Sequence, residues 1–555
     1  MAVGLAFCGI YPHYHDGIYD YDGTGTRRYF VFEYLPQILA SIIVLWLLTI
    51  QSALHRIYPF VALATGHGTV NSGVLYDAKL FSSNLLIPNL SYLTRGGPWL
   101  TLWSLTFWLA MFTVPLQSCL FQTRYFESQS IWRWTSSEPV AWLLFGLYIL
   151  LILGLCALSL RFTLGETGLK WDPRSLADIL SIFYRSNILN DFDHSEIETA
   201  VSRPPKDIKL GYWRHSRHGE ETFYCIGDSN SPVRRYSLER GGKVRPVSDR
   251  SQLDLEAQKP ESYAHDNFRN DIRNPRLRYR WTPWFLRDTF VVAWIVIATV
   301  LLIAFLVVSY VNQAAESGFL PQLPSPTSND GFSPADFLYS FVPSFLGMIL
   351  FLIWQPIDTY YRALQPFASL SDPRGSSAEK SLLLDYTACM PLQVTFRALL
   401  AGHLKVAWIS FAGLMSITLP ILAGGVFTAQ WNAGAQQVRT AASMPGFTAL
   451  TVFLIIYALS TLSLFPTKKR YLPHDISTLG ELVSFFYQSH LLAEDAFKEP
   501  RSKIDLVTKL LASPLDEKMS TRFCFGIYYG ADGKEHLGID RKERPGYGEM
   551  LVDFS

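Results

Sequence analysis

Apolar residues collect into seven runs of about 20 residues, the length of helix that crosses a hydrocarbon core of roughly 30 Å. They cover Tyr34 to Ser52, Pro98 to Phe121, Val140 to Phe162, Thr289 to Tyr310, Phe337 to Ile357, Leu404 to Phe427 and Phe447 to Phe465. Each run is continuous, whereas barrel strands alternate apolar and polar, so the pattern predicts helices. Pro59 and Pro366 stand just past two of them and are expected to turn the chain from span to loop. Two long polar segments, Thr163 to Asp288 and Pro466 to Ser555, separate and follow the spans. Met1 to Ile10 is apolar but too short to span, and without a basic leader it predicts no signal peptide.

The pattern occurs twice. Pro36 and Pro59, 23 residues apart, are answered by Pro343 and Pro366 at an offset of 307. Asp77, closing V-L-Y-D, answers to Asp385, closing L-L-L-D. Trp103 and Pro115 answer to Trp408 and Pro420, offset by 305. After the last span of each half, A-D-I-L-S-I-F-Y-R-S-N-I-L answers to G-E-L-V-S-F-F-Y-Q-S-H-L-L at an offset of 303. Offsets that drift only from 307 to 303 mark a tandem duplication.

Both copies of this last segment open with a capping box, Ser175-x-x-Asp178 and Thr478-x-x-Glu481, followed by apolar residues at helical spacing. Each predicts an amphipathic helix of about 14 residues whose apolar face needs a cover. The β-rich runs E-T-F-Y-C-I and R-F-C-F-G-I-Y-Y, each ending at a glycine, are the candidate cover. The division expected is a tail 1–33, a first membrane repeat 34–162 with three spans, and a helix-and-hairpin module 163–232. A polar basic linker 233–288 follows, flexible over Val233 to Arg280, then a second repeat 289–465 with four spans and a second module 466–555.

Charge sets the orientation. Near the span ends, sixteen Lys and Arg lie on the side that holds both modules and five (Arg27, Arg28, Arg124, Arg133, Arg439) on the other. The positive-inside rule then puts the modules and the C-terminus in the cytosol and the N-terminus outside. Plasma membrane and endomembrane are not distinguished. Composition agrees with a membrane chain, with 17% charged residues and 14% aromatic. A net charge of +1 leaves no clustered surplus for nucleic acid. The six cysteines include no C-x-x-C pair, which argues against a disulfide framework or a Cys-rich zinc site.

The R-W-T-P-W, L-Q-P-F-A-S-L, S-L-L-L-D-Y and L-P-I-L-A-G-G-V-F stretches of the second half resemble a fungal family of multi-pass membrane proteins with the tandem domain of unknown function DUF3433. The resemblance covers most of the chain and implies a two-copy membrane architecture; it brings no established activity. The first copy departs from the pattern where Tyr58 answers Gln365 and Ala78 answers Tyr386.

The expected fold is an all-α membrane protein, a polytopic helical bundle of two homologous halves with about seven transmembrane helices and small cytosolic α+β modules. Walker A, H-E-x-x-H, G-x-S-x-G and dinucleotide motifs are absent, so no enzyme, catalytic residue or cofactor is expected. His13 and His15 flank aromatics and His215 and His218 sit among arginines, and neither pair is assigned a metal. The predicted spans carry no ionisable residue at mid-depth, since Arg161, Arg287 and Lys405 lie at span ends. This favours a structural, scaffolding or lipid-interacting role, with a transporter or channel for a neutral or lipid-like solute as the alternative. The partners are the lipid bilayer and an unidentified membrane or cytosolic protein.

The positions singled out are Pro59, Pro366, Asp77, Asp385, Trp103, Trp408, Pro115 and Pro420. Asp77 and Asp385 lie in apolar stretches, Val74 to Leu93 and Ser381 to Leu400, suited to interfacial helices. Each is either a solvated residue or a partner for a base of the other copy such as Arg95 or Arg397. The second copy opens with a span that the first lacks, so Met1 to Ile10 reads as the remnant of a further span, with an in-frame extension expected upstream in the message.

Overall fold

The computed structural model describes residues 1–13, 15, 17–23, 26–65, 71–93, 97–126, 131–165, 167–193, 195–196, 206–214, 222–228, 236–238, 244–246, 268–269, 281–311, 320, 334–432, 437–465, 471–512 and 521–542. Among them, seven helices are long and apolar enough to cross a membrane.

The first repeat opens with α1 (Ala2–Ile10) and the short strand β1 (Tyr19–Asp20). Helix α2 (Arg27–Thr65) follows, with a π-wound stretch at Phe30–Tyr34. After the short α3 (Asn71–Asp77) comes a second span broken into α4 (Pro98–Ala110) and α5 (Thr113–Gln117). A hairpin of β2 (Phe121–Phe126) and β3 (Ile131–Ser136) leads into α6 (Glu138–Leu164). Module 1 is α7 (Leu176–Phe183) with the antiparallel strands β4 (Ile208–Arg214) and β5 (Thr222–Asp228).

Between the repeats, β6 (Tyr236–Leu238) pairs with β7 (Val244–Pro246), and β8 (Phe268–Arg269) is the last strand before the second repeat. The rest of the expected flexible linker up to Arg280 lies outside the described residues. The second repeat runs α8 (Asp288–Val311), α9 (Pro334–Leu370), α10 (Pro391–Leu400), then α11 (Leu404–Met415) and α12 (Thr418–Gly424). The hairpin of β9 (Phe427–Asn432) and β10 (Gln437–Ala442) and helix α13 (Met444–Leu462) complete it. Module 2 has α14 (Leu479–Val483), α15 (Lys503–Leu511), and a sheet in the order β12 (Glu535–Lys542), β11 (Arg522–Tyr529), β8.

The span positions agree with the apolar runs, but the ends differ in an instructive way. Pro59 and Pro366 lie inside α2 and α9 and do not end them. A helix-interior proline removes one hydrogen bond at a cost of about 3 kcal/mol. Here the next residues, Phe60 and Phe367, are buried and hold the chain in place. The second and sixth runs stop short at Gln117 and Gly424, because Phe121 and Phe427 begin strands. The two hairpins are repeat counterparts: Phe121 and Phe427, Ile131 and Gln437, and Ser136 and Ala442 each stand 306 residues apart. The fold is thus mainly helical with small sheets on both sides of the bundle, not purely α.

Both capping boxes are present, with Asp178 N donating to Ser175 Oγ at 3.3 Å and Glu481 N to Thr478 Oγ1 at 3.3 Å. The helices behind them are eight and five residues long, shorter than expected. The first ends where Tyr184 turns extended and Arg185 takes a left-handed φ of 61°, the second at Val483; Phe183 and Phe486 meet edge to face, 6.0 Å apart, so the two modules touch through their apolar faces. The modules also cross over: Ala177 N of module 1 donates to Leu382 O of the second repeat (3.0 Å), and Leu80 N of the first repeat donates to Ser477 O of module 2 (2.7 Å).

Within the bundle the repeats interlock. Tyr29 and Tyr34 at the start of α2 donate to Gly425 O at the end of α12, at 2.6 and 3.0 Å. Helix α9 passes so near α12 that a Cβ on Gly347 would sit 2.6 Å from Pro420 N, so only glycine fits there. In the second copy α8 runs along α13, with Phe305 stacked on Phe447 at 5.4 Å and Tyr310 Oη donating to Thr451 Oγ1 at 3.1 Å. In the first, α1 lies against the start of α6, with Gly9 facing Trp142 and Ser136 Oγ donating to Cys8 O at 2.7 Å.

Candidate functional site at the junction of the repeats

The long helices α2 and α9 carry matching side-chain pairs one turn apart. On α2, Gln51 Nε2 and His55 Nε2 are 2.8 Å apart. The residues 307 positions on are Asp358 and Arg362, which form an ion pair on α9. All four are buried. Asp358 Oδ1 accepts from Arg362 Nε (2.9 Å) and from Ser410 Oγ on α11, and Oδ2 accepts from Arg362 Nη2. Arg362 Nη1 donates to Cys389 O at 3.2 Å.

These buried ionisable groups lie beyond the predicted spans, so they add to the expectation that the spans carry none at mid-depth and do not contradict it. The apolar runs were cut at Ser52 and Ile357, where polar letters begin, but both helices continue well beyond. At 1.5 Å per residue, Asp358 lies about 32 Å along α9 from Phe337, near the far edge of a hydrocarbon core. The polar pairs therefore mark the end of the bundle that faces the modules.

Between them lie two adjoining chambers of about 80 Å³ each. The first is lined by Gln51, His55, Asp358 and Arg362, the second by Arg56, Arg174, Arg362 and apolar side chains including Phe60, Leu176 and Leu384. Ser52, Arg56, Phe81, Thr359, Arg362 and Thr387 border both. Arg56 grips Asp172 in a two-pronged pair, Nε to Oδ1 at 2.9 Å and Nη2 to Oδ2 at 2.7 Å, and Arg174 Nε adds a third bond at 2.8 Å. Burial works against the charge on Asp172, but the two guanidinium groups outweigh it and hold the carboxyl below its ordinary range. Gln51 Oε1 is buried without a hydrogen-bond partner, an acceptor left open beside the first chamber.

At the rim, α10 is an amphipathic helix with Val394 and Ala398 packed inward. Its other face presents Leu392, Phe396, Leu399 and Leu400 at 53, 58, 54 and 88% exposure. Such a face suits the headgroup boundary of a bilayer, and Pro391 at its start borders the first chamber.

The family model described as a protein of unknown function, DUF3433, matches residues 30–122 and 337–428. The chain carries this domain twice, in tandem. Each DUF3433 copy comprises a long helix with its polar pair, the loop behind it, the broken span and the first residues of the hairpin. No curated protein and no solved structure matches the chain.

The residues expected from sequence fall into separate groups. Pro366 borders the second chamber, while Pro59 is buried on α2 without lining it. Pro115 and Pro420 are both buried, each third in the short helix that follows a break in its span. Trp103 is buried, but its counterpart Trp408 is 43% exposed, so the two tryptophans do not share one role. Asp385 bonds Arg397 of its own copy, Nη1 to Oδ1 at 2.9 Å, and its charge also favours that of Arg174 of the first copy, without a direct bond between them. Asp77 ends α3 on the surface, and Arg95 lies outside the described residues. Of the two interfacial helices expected, the second exists as α10. In the first copy only Asn71–Asp77 is helical, and exposed Ile87, Leu90 and Leu93 are carried on a loop. His15 lies against Tyr11, the rings tilted and 4.6 Å apart, and His215 and His218 lie outside the described residues. The two polar pairs, Arg56 and Asp172 were not anticipated, although the repeat offset of 307 aligns Gln51 with Asp358 and His55 with Arg362 directly.

Proposed function

We propose that this tandem DUF3433 protein is a non-enzymatic, lipid-interacting membrane protein that admits a lipid headgroup to the junction of its two repeats. The observation that carries the reading is the pair of chambers bordered by both copies at membrane-edge depth, with an amphipathic helix exposing its apolar face at the rim. A headgroup can enter there without its tails leaving the apolar layer. In this reading the modules and C-terminus face the cytosol and the N-terminus lies outside, as the Lys and Arg distribution favours. The crossed contacts of the modules join the two repeats next to the chambers, so a lipid held there has both copies as its walls.

The test is native mass spectrometry of the full chain extracted in a mild detergent. A discrete retained lipid supports the reading. A chain that emerges bare, or with a stoichiometric protein partner and no lipid, would replace it with a scaffolding role.

A second reading, transport of a neutral or lipid-like solute, is favoured by one observation. Both copies break the span that precedes the hairpin at the same place, Met111–Phe112 and Ser416–Ile417, and interrupted spans line many transport paths. Movement of labelled lipid between leaflets of vesicles holding the purified protein separates this reading from static binding.

A further inference from the structure

We propose that the headgroup bound at the junction is that of an anionic phospholipid, its phosphate held by Arg56 and Arg174 in the second chamber. The inference rests on the lipid reading above and adds the chemistry of the ligand. The described residues lining that chamber include three guanidinium groups, Arg56, Arg174 and Arg362, and no carboxylate. The carboxylates bonded to them, Asp172 and Asp358, lie outside its lining, and Asp385, whose charge also acts on Arg174, is paired with Arg397; four positive charges against three negative leave a surplus of one. Such a surplus favours an anion, because at the buried Arg362 and nearly buried Arg56 the lowered dielectric strengthens an added opposite charge, while Arg174 stands half-exposed at the mouth.

The donors are also in place. Arg56 uses Nε and Nη2 on Asp172, which leaves the Nη1 hydrogens for a further acceptor. Arg174 uses only Nε on the same carboxylate and keeps its outer nitrogens. The shared Asp172 fixes both planes, and guanidinium forks fit phosphate oxygens in the way they fit carboxylates.

Size and polarity fit the rest of a headgroup. A chamber of about 80 Å³ has room for roughly five to eight water-sized groups, enough for a phosphate and its nearest atoms. The adjoining chamber offers Gln51 Oε1, an unpartnered and buried acceptor. It is placed to receive a hydroxyl or ammonium donor of the headgroup, and the apolar walls at Phe60, Leu176 and Leu384 take the carbon next to the phosphate.

The experiment uses the full chain in nanodiscs of equimolar phosphatidylcholine and phosphatidylserine, with retained lipid read by native mass spectrometry. Wild type should retain phosphatidylserine over phosphatidylcholine. Arg174→Gln, a change at a half-exposed side chain outside the spans, should reduce that preference roughly tenfold, as expected for the loss of one charge-assisted bond. Arg174→Lys should restore most of it. Equal retention of both lipids would leave the lipid reading intact and overturn the anionic one, and retention of neither would overturn both. A preference unchanged in Arg174→Gln would place the anion elsewhere and refute the site. Inorganic phosphate that stabilises lipid-free protein in detergent and displaces phosphatidylserine would show that a soluble phosphate is the ligand, overturning the lipid source; displacement only by anionic lipid supports the proposal.

Discussion

Removing one member of the Asp358–Arg362 pair should be far more damaging than removing both. In Arg362→Met, Asp358 loses both guanidinium bonds and keeps only the Ser410 hydroxyl, at a site where the carboxylate is 2% exposed. An uncompensated buried charge of this kind costs about 3–5 kcal/mol. Replacing the pair together, Asp358→Leu with Arg362→Met, leaves no stranded charge and is expected to change stability by no more than about 1 kcal/mol. The corresponding transplant from the first copy, Asp358→Gln with Arg362→His, should be tolerated likewise, since Gln51 and His55 form a bonded pair on the same helical turn. Thermal unfolding in detergent reads the difference. At about 2–4 °C per kcal/mol for a domain of 150–250 residues, the single change should lower the midpoint by roughly 6–20 °C and the double change by a few degrees at most. Single variants that melt with wild type would mean that water reaches the pair and screens it, and the buried-pair reasoning would fail.

Three further outcomes are expected. The pair Asp385–Arg397 is partly exposed, 26 and 48%, so Asp385→Ala should cost no more than about 1 kcal/mol, and a larger loss would show that the carboxylate supports more than this contact. The sequon Asn89-Leu90-Ser91 should carry no glycan in the proposed orientation, and an endoglycosidase-sensitive mass shift would invert the topology. The modules should weaken as pH rises. His536 of module 2 is buried, which disfavours its charge, but Glu196 of module 1 at 2.6 Å and Asp532 at 2.8 Å outweigh this and raise its pKa. A raised folded pKa gives stability that is fully present below the unfolded value of 6.5 and fades as pH climbs through the folded one. Glu481, pushed up to about 7 by burial and by Asp475, has the same sign, its contribution fading between about 4.5 and 7. The melting temperature of His536→Gln should therefore depend less on pH above 6.5 than that of wild type, and parallel curves would refute the latch between the modules.

What could be read from the sequence follows from the range over which each interaction acts. Span existence, the duplication and both capping boxes depend on neighbours within a turn or on self-similarity, and all appear in the letters. Helix ends do not. Pro59, Pro366, Asp358 and Arg362 look like loop residues by composition yet lie inside helices, the last two bonded to distant Ser410 and Arg362 also to Cys389. The hairpins before α6 and α13 were hidden for another reason: Phe121 and Phe427 extend an apolar run that ends in strand, and run length cannot tell the two apart. The contact of Phe183 with Phe486 likewise joins residues about 300 apart in the chain. The candidate site was the least legible, since the Arg56–Asp172 clamp joins residues 116 apart and neither stands in a motif.

The duplication preserves the frame and diverges in its chemistry, and this difference bears on how the junction works. Prolines, span breaks, hairpins and capping boxes recur at matching positions in both copies. At the chambers the apolar lining recurs, as Phe60 and Phe367 and as Ile179 and Leu482, but the charged and polar residues in and around them do not. Gln51 and His55 stand where Asp358 and Arg362 form an ion pair, Arg56 stands where Ala363 does, and Asp178, salt-bridged to Lys503, answers to Glu481 beside Asp475. Two identical copies would bring like charges to the same chambers, with two buried arginines competing for one space. Divergence removes that repulsion: one copy supplies a closed ion pair, and the other supplies a neutral pair with an open acceptor, together with Arg56. The cavity is then polarised from one wall to the other, which a symmetric pair of repeats could not achieve. A ligand with a phosphate at one end and a donor at the other has one favoured direction of entry into such a cavity. The asymmetry therefore belongs to the binding function proposed, while the symmetry belongs to the scaffold that holds it.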